Sequence, residues 1–91
     1  MDIDTLLLFL KIDLGINRDT YDARLTSDLE TAQAEIEREG VVLTDESSDD
    51  IDLVVMYAAW LWNKRRTGEG MPRMLRYLLN NHLFAQKAVT E

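Results

Sequence analysis

The sequence contains no cysteine, a single proline and four glycines, and its longest unbroken apolar run has only ten residues, at positions 53–62. Without cysteine, disulfide bonds, thiolate zinc sites and a cysteine nucleophile are excluded. A membrane-spanning helix needs about 20 apolar residues, so no membrane partner is expected. The N-terminus has two aspartates and no basic leader, which predicts that no signal peptide is present and that the chain is made in the cytoplasm.

The length and composition indicate one small globular domain. The chain has 91 residues, of which 46% are apolar and 30% charged, close to globular averages, and we expect one helical domain over residues 1–91. A domain of this size buries only about 60–65% of the surface that its unfolded chain exposes. We therefore expect modest stability in isolation.

Charge is distributed unevenly along the chain. The formal net charge is −7, but residues 1–52 carry 15 acids and 4 bases, whereas residues 53–91 carry 2 acids and 6 bases. The first part is therefore −11 and the second +4. Two interpretations remain open: the halves pair within one folded molecule, or acidic and basic surfaces stay apart and meet between neighbouring subunits.

Apolar residues recur with helical spacing, which predicts an all-α bundle of about four helices. The first helix is expected over 4–12, with Asp2 or Asp4 as N-cap, and it ends before Gly15. The second is expected over 19–39 and ends at Gly40. Its buried stripe is predicted to consist of Tyr21, Leu25, Leu29, Ala32 and Ile36.

The third and fourth helices follow an acidic loop at 45–50. The third is expected over 51–66 and is apolar on every side over 53–62, which predicts a central helix buried all round. The fourth is expected to begin with Pro72 as its first residue, with Arg73 and Arg76 outside and fraying over 88–91. Its helically spaced apolar positions are Met71, Met74, Leu75, Leu78, Leu79 and Leu83.

No arrangement of residues typical of catalysis is present in the sequence. His82 is the only histidine, and without cysteine it cannot complete an ordinary zinc site, so we expect it on the surface or at an interface. A calcium loop starting at Asp45 would need glycine and glutamate where the chain has Asp50 and Met56. We therefore predict no enzyme activity, no catalytic residues, no cofactor and no metal.

Two tryptophans indicate a surface left for a partner. Trp60 and Trp62 are two residues apart, so on a helix they point to different sides, and one small core does not easily bury both. Tryptophan is enriched at protein interfaces. The alternative interpretation is that both pack within one protomer.

A DNA-binding regulator is the main alternative function. The basic residues at 64–66, together with Arg73 and Arg76, could contact phosphates, and a helix-turn-helix would make 71–84 the recognition helix. That segment is too apolar for a helix in a DNA groove, and the net charge of −7 disfavours nucleic-acid binding by the whole surface.

The order of these segments resembles the head–tail connector (adaptor) proteins of tailed bacteriophages, the HK97 gp6-like group. The resemblance covers essentially the whole chain. Its more specific part is the apolar stretch Met56-Tyr57-Ala58-Ala59-Trp60-Leu61, which runs into a basic end, a glycine loop and then Met71-Pro72-Arg73-Met74-Leu75-Arg76. The first part, a short helix followed by a long amphipathic one, would fit many helical proteins.

The resemblance implies an all-α protomer of a ring, dodecamer-like to match the portal, that lies between the portal protein and a tail-side connector or stopper protein. Such a ring belongs to the virion, at its head–tail interface, and is assembled from chains made in the bacterial host cytoplasm by a phage or prophage. It extends the channel for the genome during packaging and exit, and DNA passes through it without specific binding. The family has no catalytic residues or cofactors.

Together, the charge pattern and the resemblance give two hypotheses about sites. A head-to-tail ring needs two different patches that meet around the circle. The interface is predicted to include Trp60, Trp62, Arg65, Arg66, Arg73 and Arg76. Acidic residues facing the channel would repel the DNA backbone, and the predicted channel-lining residues are Glu30, Glu35, Glu37 and Glu39, or else the 45–50 loop.

Overall fold

A computed structural model of the chain describes the backbone of residues 1–90 and the side chains of residues 1–86. In this part of the chain there are four helices and no strand, which confirms the predicted all-α fold. The helices are α1 (Ile3–Leu14), α2 (Asp22–Arg38), α3 (Ser48–Thr67) and α4 (Arg73–Thr90). The fraying predicted for residues 88–91 is wrong for 88–90, because α4 continues through Thr90, and Glu91 lies outside the described residues.

Helix ends follow from short-range capping. The Asp2 carboxylate accepts the Asp4 N–H at 3.1 Å, and Gly15 ends α1 in the left-handed conformation with φ of 70°. The Ser47 hydroxyl accepts the Asp50 N–H at 3.3 Å, so α3 begins three residues before the predicted start at 51. Both caps satisfy backbone groups that would otherwise lack a partner.

Two helices begin later than the sequence predicted. α2 starts at Asp22 because the chain first makes a turn in which the Asp22 N–H donates to the Asp19 carbonyl at 3.1 Å. Pro72 precedes α4 instead of being its first residue, and its carbonyl accepts the Arg76 N–H at 3.1 Å. Gly40 follows the end of α2 with φ of 107°, as predicted for a glycine after a helix.

α3 is the central helix, and each of the other three packs against it. The stripe predicted for α2 is buried from Leu25 onward, which confirms the helical period. The buried apolar residues that form the core are Leu6, Leu10, Leu25, Leu29, Ala32, Ile36, Val41, Leu53, Val54, Val55, Tyr57, Ala58, Leu75 and Leu79.

Burial differs from the prediction at three places. α3 is not buried all round, because its neighbours leave one end open and residues 59–62 are only half-buried. Tyr21 is 47% exposed, because it precedes the first turn of α2 instead of lying on its stripe. Met74 is 61% exposed, because Leu75 and Leu79 already direct their side of α4 into the core.

Polar contacts join α4 to the rest of the molecule. The Val42 N–H donates to Gln86 Oε1 at 2.8 Å, and Gln86 Nε2 donates to the Val42 carbonyl at the same distance. Arg76 pairs with Glu39 at 2.9 Å. These bonds connect α4 to the end of α2 and to the loop that follows it.

Candidate functional site

A concave surface lies where the end of α1, the start of α2 and the last turns of α3 meet. It has a volume of about 660 Å³. We call it the basic-aromatic cleft. Its lining residues are Leu14, Ile16, Tyr21, Arg24, Trp62, Arg65 and Arg66.

Local structure brings these side chains together. The left-handed turn at Gly15 places Leu14 and Ile16 on either side of the helix end. The late start of α2 leaves Tyr21 free to contact Trp62 edge-on, with ring centroids 5.3 Å apart and ring planes at 73°. This edge-to-face arrangement is a favourable geometry for aromatic rings. The two rings form one side of the cleft, which we call the aromatic wall, and both remain partly exposed to solvent.

Arg65 is tied to its own protomer. Its guanidinium donates to both carboxylate oxygens of Asp28, which is only 1% exposed, and the longer of the two bonds, from Nη1 to Oδ2, measures 3.1 Å. The hydrogen bonds to Asp28 raise the pKa of Arg65. A buried carboxylate needs such a partner, because an unpaired buried charge is costly. Arg65 therefore has a structural role in addition to any contact with a neighbour.

Arg24 and Arg66 supply the free positive charge of the cleft. Both are exposed, and neither makes an ion pair within the described part of the chain. The nearby Lys11 is occupied, because its ammonium group contacts Asp22 at 2.9 Å and Asp19 at 3.2 Å. An acidic group entering the cleft would thus meet two unpaired guanidinium groups.

The other predicted interface residues lie elsewhere. Trp60 packs edge-on against Tyr57 at 5.4 Å, beneath the Lys64 ammonium group, and lines a smaller pocket of about 320 Å³. Arg73 is exposed on α4, and Arg76 on the same helix pairs with Glu39. The structure thus brings Trp62, Arg65 and Arg66 together, but it separates them from the remaining three residues of that prediction.

The predicted channel-lining glutamates divide into two pairs. Glu30 and Glu37 are exposed, are seven residues apart on one side of α2, and make no ion pair among the described residues. Glu39 pairs with Arg76. Glu35 is half-buried instead of lying on the outer face, because its carboxylate accepts the Tyr57 hydroxyl at 2.7 Å.

An acidic surface lies at the opposite end of α3. Glu46, Asp49 and Asp52 are exposed and form no ion pair within the described residues; we call them the acidic end. At a rise of 1.5 Å per helical residue, Asp49 and Asp52 lie about 20–25 Å along the axis from Arg66. The two charged surfaces cannot pair within one molecule.

Asp50, between them, points inward. It is 6% exposed, accepts the Thr44 N–H at 3.0 Å, and lies 3.2 Å from Nε2 of His82. The other ring nitrogen of His82 is 3.0 Å from the Leu78 carbonyl. Instead of lying free on the surface, His82 joins α4 to the start of α3, and both of its ring nitrogens face acceptors.

Two apolar helix faces remain uncovered. On α1, Leu8, Phe9 and Ile12 are 58%, 42% and 66% exposed. On α4, the exposed residues are Met74, Tyr77 and Phe84, and their spacing of three and seven residues places them on one face. Monomeric proteins rarely expose contiguous apolar patches larger than a few hundred Å², and larger ones mark interaction sites.

The residues described here contain no group of three or more histidine or carboxylate side chains arranged to hold a metal ion. Within the same part of the chain, no helix has both the length and the apolar character needed to cross a membrane. Comparisons with protein-family models, curated proteins and solved structures found no match to the chain.

Sequence reasoning missed Tyr21 and Arg24 as cleft residues and Asp28 as the partner of Arg65. A signal for Asp28 was present, because a carboxylate at position 28 falls between Leu25, Leu29 and Ala32 on the buried stripe. A charge on such a stripe requires a cation nearby. Which cation it meets depends on the packing of α2 against α3.

Proposed function

We propose that the chain is a structural subunit of a bacteriophage head–tail connector, which assembles head to tail into a ring beneath the portal protein. The observation that carries the proposal is the separation of charge along α3, with the acidic end at its start and the basic-aromatic cleft at its last turns. The resemblance to the connector family supplies the biological setting. The proposed location is the head–tail interface of the virion.

Head-to-tail assembly uses two different surfaces of each subunit. A heterologous contact of this kind closes into a ring when the rotation between neighbours is a whole fraction of a turn. Complementary potentials accelerate and orient such an association. A two-fold contact centred on either charged surface alone would instead bring acid against acid or base against base.

The uncovered apolar faces suit the remaining partners. A ring in this position contacts the portal protein on one side and a tail-side connector or stopper protein on the other. The exposed faces of α1 and α4 offer apolar area for these contacts beyond the two charged surfaces. Exposed apolar faces of this kind are expected of a subunit whose surfaces are covered only within an assembly.

Glu30 and Glu37 are the residues that we propose line the channel. They are exposed and unpaired within the described part of the chain, so their negative potential is available to repel phosphates. Glu35 and Glu39 contribute less, because Tyr57 and Arg76 engage them. A negatively charged channel lets DNA pass without binding it.

Particle mass and electron microscopy of the purified chain test the proposal. The mass should be measured by sedimentation velocity over a concentration series at low salt, and particles should be imaged by cryo-electron microscopy. We expect rings with a central hole and acidic residues around it. A chain that stays monomeric at every concentration would contradict self-assembly, and a ring with a basic lumen would contradict the role in DNA passage.

The second candidate is a small helical DNA-binding regulator, favoured only by the exposed Arg24, Arg66 and Arg73, which make no ion pair within the described residues. Arg76, also on the helix expected to read DNA, is engaged by Glu39. Titration with duplex DNA at several salt concentrations distinguishes the two candidates, because phosphate contacts give an affinity that falls steeply with salt. A connector subunit is expected to show no measurable duplex binding at physiological salt.

A further inference from the structure

We propose that the basic-aromatic cleft of one copy receives the acidic end of the next copy, so that the start of α3 in one subunit docks against the end of α3 in its neighbour. The inference rests on the self-assembly proposed above and names the surfaces that perform it. The occupant of the cleft is therefore a carboxylate-bearing segment of a second copy of this chain.

The first argument is electrostatic. Arg24 and Arg66 are exposed cations that make no ion pair among the described residues. The exposed carboxylates of the acidic end make no ion pair among these residues either. The two groups lie about 20–25 Å apart along one helix, so a single molecule cannot bring them together. In a head-to-tail contact, the acidic end of a second copy enters the cleft of the first. Each docking step leaves one cleft and one acidic end open, and the contact therefore repeats.

The second argument is the chemical character of the cleft. Tyrosine, tryptophan and arginine dominate the energetic centres of protein interfaces, and this cleft combines Tyr21, Trp62 and Arg66 with the apolar side chain of Leu14. The aromatic wall excludes water around an entering carboxylate, which strengthens its attraction to the guanidinium groups. A volume of about 660 Å³ is large enough to admit several side chains.

The third argument is the rigidity of the acidic end. Asp49 and Asp52 are three residues apart in the first turns of α3, so they project near one another. Asp50, between them, is turned inward and held by the Thr44 N–H and His82. Because these contacts fix the start of α3, little conformational entropy is lost when it docks.

Charge reversal tests the contact in both directions. The cleft variant carries Arg24→Glu and Arg66→Glu, and the acidic-end variant carries Asp49→Lys and Asp52→Lys. Alone, each variant has two surfaces of like charge, and we expect its self-association to weaken at least tenfold relative to the unmodified chain. Mixed in equal amounts, each surface meets its opposite, and we expect association to be restored with the two variants alternating.

Matched controls carry the same change in net charge elsewhere. Arg38→Glu with Arg73→Glu matches the cleft variant, and Glu30→Lys with Glu37→Lys matches the acidic-end variant. Both controls are expected to associate like the unmodified chain, as measured by sedimentation velocity at low salt. Circular dichroism verifies that every variant keeps its helical content.

The outcomes separate this inference from the proposed function. If the unmodified chain assembles and the cleft and acidic-end variants assemble equally well, or if their mixture does not regain association, the docking inference is wrong although self-assembly stands. If the controls weaken assembly as much as the variants do, general repulsion and not the cleft governs assembly, and the inference is again overturned. If the unmodified chain does not assemble at any concentration, the proposed function fails together with the inference.

Discussion

The unit formed by α1, α2 and α3 is held together by more buried apolar packing than the helix α4 is. The first three helices bury side chains such as Leu10, Leu29 and Ile36 completely, and apolar packing joins them. α4 contributes only two fully buried leucines, Leu75 and Leu79, with Leu78 and Leu83 partly buried against the core. Polar contacts such as the His82–Asp50 pair add to its attachment. α4 also carries Phe84, which at 70% exposure is the most exposed large apolar residue among those described.

The difference shows where stability and interaction are located. Apolar packing within α1–α3 gives the chain its stable centre, whereas α4 is the more weakly held helix and presents an apolar face outward. Elements with few buried contacts open at lower free energy than the core. α4 is therefore the element whose placement a partner would stabilise most.

The largest effect is expected for Leu29→Ala in the packed unit. Removing a fully buried leucine side chain and leaving a cavity lowers the free energy of unfolding by about 3–4 kcal/mol. We expect Leu79→Ala on α4 to lower the free energy of unfolding by less. The looser attachment of α4 lets this helix move to fill the space that the side chain leaves. Urea unfolding measures both values. An equal or larger loss for Leu79→Ala would mean that α4 belongs to the same core.

The next effect is expected for Arg65→Met, which leaves the buried Asp28 carboxylate without its cation. We expect a loss of about 2–3 kcal/mol in the free energy of unfolding. The double variant Arg65→Met with Asp28→Leu removes both charges and is expected to recover most of that loss, as chemical denaturation can measure. Additive losses in the double variant would show that the pair itself is not the source of stability.

A smaller effect is expected for His82→Ala, which breaks the contact of α4 with Asp50. We expect the free energy of unfolding to fall by about 1–2 kcal/mol, because a buried carboxylate loses one hydrogen-bond donor. Hydrogen exchange is expected to accelerate in α4 and to stay nearly unchanged at Leu29 and its neighbours in α2. Uniform acceleration across all helices would contradict the separation of α4 from the packed unit.

A pH-dependent effect is expected at Tyr57. Burial, and next the hydrogen bond to Glu35, raise its pKa above the ordinary value of 10.0. As the pH rises above 10, the unfolded chain releases the phenol proton before the folded chain does. The contribution of Tyr57 to stability is therefore complete below pH 10 and declines above it. It amounts to about 1 kcal/mol.

The comparison of the chain with Tyr57→Phe isolates this contribution. We expect the difference in thermal unfolding between the two proteins to be constant near neutral pH and to shrink above about pH 10. Other titrating groups are common to both proteins and cancel. A difference that does not change across this range would mean that the Tyr57 hydroxyl is not held by Glu35.

The smallest effect on stability is expected from Met74→Ser and Tyr77→Ser on the outer face of α4. Because both side chains are 61% exposed, each change is expected to alter the free energy of unfolding by no more than about 0.5 kcal/mol. A loss above 2 kcal/mol in the monomer would show that this face packs within the protomer and is not available to a partner.

The sequence predicted those parts of the fold that depend on local periodicity. Leu25, Leu29, Ala32 and Ile36 were assigned correctly to one buried stripe because their spacing follows a single helix. Tyr21 fits the same spacing but lies before α2, because the turn after Asp19 delays the helix. Periodicity identifies a face, but it does not locate the first residue of the helix.

The candidate site was predicted less completely, because it depends on contacts between distant parts of the chain. The sequence correctly placed Trp60 and Trp62 on different sides of one helix. It did not pair Arg65 with Asp28, which lies 37 residues away, or place Tyr21 beside Trp62. Such contacts are decided by how α2 packs on α3, and no spacing within one helix contains that information.

Head-to-tail assembly is tested most directly by the mass of the two charge-reversed variants, each alone and mixed, at low and at high salt. We expect each variant to remain monomeric, and their equimolar mixture to form oligomers at low salt that dissociate as salt screens the charges. A mixture that remains monomeric at low salt, while the unmodified chain assembles under the same conditions, would contradict docking of the acidic end into the basic-aromatic cleft.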